Sequence, residues 1–158
     1  MMDDETQRKV FNESLAALKA GQGEDATRGF RSLLKAGSQN PRHVSYCGLS
    51  LATVEGKLND ARTLCEYAVR AAPYDPEMHL NLALVYERGG WRTRAIQELL
   101  AGLTIDTRDV RLRREYIRLN RRGKPALRFL PRQHPLNRRL GKLRSRIRMF
   151  LHGNRVYI

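Results

Sequence analysis

The chain has 158 residues, 41% of them hydrophobic, with 30 Lys plus Arg against 16 Asp plus Glu. That length supports one core without help from a disulfide or a metal, and two cysteines, Cys47 and Cys65, exclude a disulfide-dense scaffold and lack zinc-site spacing. The formal charge of +14 sits in the last third: residues 1–107 hold 13 Lys/Arg and 14 Asp/Glu, whereas residues 108–158 hold 17 Lys/Arg and only Asp109 and Glu115, a net of +15. Such asymmetry points to an anionic counterpart for the tail, be it nucleic acid, a lipid surface or an acidic protein. The acidic start, Met1 to Glu5, is unlike a signal peptide, and no stretch approaches ~18 consecutive apolar residues. The expected location is the cytoplasm, with membrane association left open through the tail.

In chain order, helical patterns come in pairs about a short turn. Phe11, Leu15 and Leu18 precede the turn Gly21 to Ala26, and Phe30, Leu33 and Leu34 follow it. Tyr46, Leu49 and Leu51 precede Gly56 to Ala61, and Leu64, Ala68 and Val69 follow. Leu80, Leu82, Leu84 and Val85 precede Gly90 to Ala95, and Ile96, Leu99, Leu100 and Leu103 follow. The turns recur at 35 and 34 residues. Asn40-Pro41 and Pro73-Tyr74-Asp75-Pro76 punctuate the joins, because proline ends one helix and its fixed φ suits the first position of the next.

This pattern resembles the tetratricopeptide repeat, whose 34-residue helical hairpins stack into a right-handed superhelix. In the unit starting at Pro76, the residues that carry the likeness are Leu82, Ala83, Tyr86, Gly90, Ala95, Leu99 and Gly102. In the unit starting at Arg42 they are Gly56, Ala61, Ala68 and Pro73. Ala61 and Ala95 stand where paired helices approach most closely. Three departures are visible: Gly48 falls one place early, Thr107 stands where the pattern ends in proline, and the first unit has a turn about one residue short. The resemblance covers roughly residues 7–122 and implies an all-α fold of three hairpins and a fourth, unpaired helix.

In that family the first helix of each unit lines a concave, partner-binding groove. The resemblance assigns Asn12, Ala16 and Lys19 to it from the first unit, His43, Tyr46, Ser50 and Thr53 from the second, and Glu77, Leu80, Leu84, Glu87 and Arg88 from the third. Extending the register adds Arg111, Arg114, Arg118, Arg121 and Arg122, with Leu112, Tyr116, Ile117 and Leu119 left for the core. Those arginines share one helical face, and each could hold a carboxylate or phosphate by paired hydrogen bonds. The alternative is that they solvate the end of the superhelix and complement a helix C-terminus.

Residues 123–134 carry two prolines, with Pro135 directly after them, and are expected to form an extended strap. There Ala126, Leu127, Phe129 and Leu130 would replace the missing repeat partner. Over residues 135–151 the stripe Leu136, Leu140, Leu143, Ile147, Phe150 predicts an amphipathic helix flanked by Arg138, Arg139, Lys142, Arg144, Arg146 and Arg148. Either it caps the repeats or it contacts an anionic membrane or nucleic acid. Aromatic residues are too sparse for base readout. The domain plan is 1–122 for the superhelix, 123–134 for the strap and 135–151 for the basic helix.

No chemistry-bearing constellation is present. His43, His79, His134 and His152 lack metal-site spacing and read as surface residues, and there is no phosphate-binding loop or nucleophile elbow. The expectation is a protein that is no enzyme and needs no cofactor or metal. It would be an adaptor, scaffold or chaperone-like module holding a partner segment, with acidic groups favoured at the arginine-rich end. Its plan is similar to that of the short bacterial secretion chaperones. The alternative is a peripheral tether acting through the basic tail.

Overall fold

The computed structural model describes residues 2–120 together with Pro135, Arg139, Leu140 and Leu143. Seven helices follow one another: α1 (Asp4–Lys19), α2 (Gly23–Lys35), α3 (Pro41–Ser50), α4 (Leu58–Ala71), α5 (Pro76–Arg88), α6 (Arg92–Ile105) and α7 (Val110–Asn120). Residues Leu51–Glu55 continue α3 as a wider π-turn. No strand occurs among the described residues. The strap and most of the basic helix lie outside them, as do Arg121, Arg122, His134 and His152.

The starts and turns of the helices are written locally. Asn40 accepts from the Arg42 N–H at 3.0 Å with Pro41 at the first helical position, and Asp75 accepts from the Glu77 N–H at 2.9 Å ahead of Pro76. Asp109 repeats the device, accepting from the Arg111 N–H at 2.7 Å. Each cap satisfies a donor that the helix cannot. Between paired helices the chain reverses at Gly21, Gly56 and Gly90, all with positive φ, a conformation that costs glycine least.

Caps and turns do not keep the same beat. From Asn40 to Asp75 is 35 residues, whereas from Gly56 to Gly90 is 34, so the second unit holds one extra residue between its cap and its turn. The π-turn absorbs it: the Gly56 N–H bonds back to the Leu51 carbonyl, five residues away. This accounts for the early glycine. Counted from the cap, Gly48 corresponds to Ala83, and a Cβ on it would lie 2.7 Å from Cys65 Sγ and 2.9 Å from the Ala61 carbonyl. It is the close crossing of α3 and α4.

Hairpins α1/α2, α3/α4 and α5/α6 pack internally, and each is joined to the next through α2 on α3, α4 on α5 and α6 on α7, with α3 also against α5. Ala26, Ala61 and Ala95 are wholly buried at the crossings. Phe11, Phe30 and Tyr46 form an aromatic cluster with centroids 5.5 to 5.8 Å apart, which ties the first hairpin to the second. Phe30, Leu33, Leu99 and Leu112 are fully buried, each stabilising the stack by about 1.5–3 kcal/mol. Both cysteines are buried and unpaired, as expected of core thiols.

Three expectations are corrected. His43 and His79 are buried rather than superficial: His43 stacks on Phe11 at 4.8 Å, and His79 lies between Glu98 and the Pro73 carbonyl at 2.9 and 3.0 Å. Leu112 and Leu119 join the core and Tyr116, half-buried, packs against it, but Ile117 is 47% exposed. Leu100 is exposed on the outer side of α6.

Candidate functional site

The first helices of the units, α3, α5 and α7, are connected by a row of side-chain contacts. On α5, Glu77, Leu84 and Arg88 fall within about 40° of one another at 100° per residue, and so form one stripe. Glu77 fixes which way that stripe points. Its carboxylate takes Arg42 Nε at 2.8 Å and the Tyr46 hydroxyl at 3.0 Å from α3, and Arg111 Nη1 at 3.3 Å from α7. Arg111 also donates to Asp109 at 3.0 Å. Next to it, the Arg118 guanidinium holds Glu87 with both terminal nitrogens, Nη1 at 2.6 Å, and donates through Nε to Glu115 at 2.7 Å.

The electrostatics follow from these pairs. Burial, then the neighbouring Glu77 carboxylate, push the Tyr46 hydroxyl above its ordinary range, so it stays a donor. Asp109 and Glu77 raise Arg111, and Glu87 and Glu115 raise Arg118, against the opposing effect of burial. Asp109 itself is held below the usual carboxylate range: burial opposes, but Arg111 and two backbone N–H groups outweigh it. Arg88 differs. Half-buried, it has no carboxylate partner among the described residues, and burial lowers it against a weaker pull from its chain neighbour Glu87.

Of the residues assigned to the groove from sequence, Thr53, Leu84, Glu87 and Arg88 are half-buried, and Arg111, Arg114 and Arg118 are exposed on α7. Tyr46, Ser50 and Leu80 are buried and shape the groove without offering a surface. For Tyr46 and Ser50 no choice of register would have offered a surface, since every residue from His43 to Ala52 is buried. In the first unit Asn12, Ala16 and Lys19 are exposed. The arginines at the mouth are also not bare: Arg111 and Arg118 are matched by carboxylates of α5, which sequence reasoning did not pair. A signal for this existed, since Arg42, Glu77 and Arg111 alternate in sign at 35 and 34 residues. Of the basic helix, Arg139 is described and is helical and exposed, while Arg138, Lys142, Arg144, Arg146 and Arg148 lie outside the described residues. Among the described residues no three His, Cys, Asp or Glu side chains gather as a metal site, and no helix is long and apolar enough to cross a membrane.

Hairpins of this size, stacked with their first helices in one row, are found in solved structures that match over most of this chain. The TPR domain of Sgt2 from Aspergillus fumigatus matches with a TM-score of 0.65 at 16% identity, covering 84% of this chain and 93% of that one. The chain has the tetratricopeptide-repeat fold. The first TPR of Spaghetti (RPAP3), solved with the HSP90 peptide SRMEEVD, matches with a TM-score of 0.63 at 13% identity, covering 75% of this chain and 93% of that chain. PcrH, solved with the chaperone binding region of PopB, matches with a TM-score of 0.60 at 14% identity, covering 75% and 94%. No protein-family model matches the TPR-like sequence, and no curated protein does.

Proposed function

We propose that this protein is a non-catalytic, chaperone-like adaptor that holds a segment of a protein partner along its row of first helices. The observation that carries the reading is the continuous α5 stripe of Glu77, Leu84 and Arg88, with Thr53 in the π-turn that continues α3 and the arginines of α7 to either side. It combines a half-buried apolar side chain with charged groups of both signs, which suits an extended peptide. Two proteins of the same fold were solved with a segment of a partner, one with an HSP90 peptide and the other with the chaperone binding region of PopB. The buried thiols support a non-catalytic reading, since burial raises Cys47 to about 11 and Cys65 to about 12 and leaves both protonated.

The test is site-specific photo-crosslinking in native cells. A benzophenone side chain at Leu84 should yield a discrete protein adduct. The same group at Tyr67, exposed on the outer helix α4, should not. Equal labelling from both positions would remove the groove from the account.

A second reading is favoured by one observation. Leu140 and Leu143, two members of the apolar stripe, are helical and 38% and 55% exposed. Apolar side chains left in solvent beside Arg139 suit a basic amphipathic helix that meets an anionic surface. Sedimentation with vesicles of anionic against zwitterionic lipid, with and without residues 132–158, tests it. Anionic-selective sedimentation that is lost on deletion supports this reading, and equal sedimentation of both chains rules it out.

A further inference from the structure

Places in the fourth unit can be read from the third by counting from the caps Asp75 and Asp109. Among the described residues α7 has no hairpin partner. On it Arg113 takes the place of His79, Ile117 that of Ala83 and Asn120 that of Tyr86. In the third unit His79 meets Glu98 of α6 at 2.9 Å, and Ala83 is buried. In the fourth, Arg113 is exposed, donating to the Thr107 carbonyl, and Ile117 is 47% exposed. The other wall of this open seat is α6, whose Ile96, Leu100 and Leu103 follow Arg62, Glu66 and Val69 of α4 by 34 residues. The third unit covers those α4 places, with Arg62 5.3 Å over the Trp91 ring and Glu66 accepting from the Tyr86 hydroxyl at 2.8 Å. On α6 the two charged residues are replaced by Ile96 and Leu100. Asn120, in the place of the covering tyrosine, turns to the Tyr116 hydroxyl at 3.1 Å, and Leu100 is 43% exposed. The outer face of a stack of repeats needs to be polar, whereas this one is apolar in the manner of a covered surface.

From this geometry we infer that the seat between α6 and α7 is a second docking surface, separate from the groove, and that it takes an amphipathic helix of another protein whose apolar stripe is flanked by carboxylates. The acidic character follows from register. A helix lying on α7 as α6 lies on α5 brings a side chain to Arg113 where Glu98 comes to His79, and Arg114, also exposed, flanks Ile117 on its other side. The chain's own tail cannot supply that charge, because residues 121–158 contain no Asp or Glu and are rich in arginine. Two leucines of its apolar stripe, Leu140 and Leu143, are themselves 38% and 55% exposed. Two copies joined through this face would set arginine against arginine. Ile117, larger than the Ala83 it replaces, holds the incoming helix further out than the helices of one hairpin stand, so the contact is one that a separate protein can make and release.

The experiment follows the methyl resonances of the full chain by NMR during titration with two acetylated, amidated helical peptides. One is three tandem copies of Glu-Leu-Ala-Ala-Leu-Leu-Glu, and the other has Lys in place of every Glu. The acidic peptide should move Ile96, Leu100, Leu103 and Ile117 saturably and leave Leu84 in place. The lysine peptide should bind at least about tenfold more weakly. Leu100→Glu, which copies Glu66 at an exposed position, should weaken the acidic peptide by about tenfold or more, and Arg113→Glu should shift the preference toward the lysine peptide. Equal binding of both peptides, undiminished binding by both folded variants, shifts at Leu84 instead of Leu100, or no shift with either peptide would each overturn the proposal. So would nuclear Overhauser contacts from Leu100 or Ile117 to residues beyond 120, which would give the seat to the chain's own tail, or dimerisation lost in Leu100→Glu, which would give it to a second copy. The crosslink from Leu84 is independent of all these results, so the groove reading stands or falls separately.

Discussion

Arg118 and Glu87 form a bidentate pair between α7 and α5, with Arg118 Nη1 2.6 Å from Glu87 Oε1. The same guanidinium serves Glu115, a carboxylate only 2% exposed whose Oε1 has no hydrogen-bond partner among the described residues. An exposed pair alone would contribute about 0.2–1 kcal/mol. Removing the arginine also strands a buried charge, so Arg118→Ala is expected to destabilise by about 1–3 kcal/mol. Adding Glu115→Gln should restore part of that loss in urea denaturation. If the double variant is no more stable than Arg118→Ala, burial of Glu115 is not the source of the cost.

Gly48 tests the crossing of α3 and α4. A Cβ there would meet the Ala61 carbonyl at 2.9 Å, and a backbone atom in a packed helix cannot yield cheaply. Gly48→Ala should lower stability by about 1–3 kcal/mol despite alanine's better helix propensity. Equal or higher thermal stability would mean that the two helices can part.

The two buried histidines should act in opposite directions with pH. His79 is raised, chiefly by its bond to Glu98 and against burial, and both its ring nitrogens face acceptors. Its contribution is complete below the ordinary value of 6.5 and is lost as pH rises through the raised value. His43 is lowered, first by burial and then by Arg42, so its contribution is present above 6.5 and lost as pH falls through the lowered value. Urea midpoints from about pH 5 to pH 9 should show His79→Gln converging on the parent at high pH and His43→Gln converging at low pH. Parallel profiles would refute the assignment of charge states.

Both thiols should be silent in the native protein. Burial raises Cys47 to about 11 and Cys65 to about 12, so neither supplies thiolate near pH 8. Iodoacetamide should label neither in buffer and both in urea, giving a direct count of global opening by mass spectrometry. Rapid native labelling of Cys47 alone would locate a local opening next to the π-turn.

The hairpins were legible in the sequence because caps and turns are local: Asn40-Pro41, Asp75-Pro76 and the glycines at 56 and 90 mark helix ends without reference to the rest of the chain. Core positions such as Ala61, Ala95, Leu99 and Leu112 followed from period and residue size. The groove was less legible, since which face a side chain presents depends on register. For Tyr46 and Ser50 it depends on neighbours as well: α3 packs against α2, α4 and α5, and every residue from His43 to Ala52 is buried. The ion pairs required knowing which helices lie side by side. Arg118 could be read as exposed charge, but not as the partner of Glu87. The burial of His79 was equally out of reach, because Glu98 and Pro73 approach it from different elements.

The π-turn at Leu51–Glu55 has a consequence for how the units relate. Equal hairpins could be exchanged, duplicated or shuffled along the stack, but these cannot. A first helix transplanted from the third unit into the second would arrive one residue short. Every side chain beyond the splice would be rotated by about 100°, putting groove residues into the core and core residues into water. The middle hairpin is therefore a dedicated part, matched to its two neighbours and to no other place in the row.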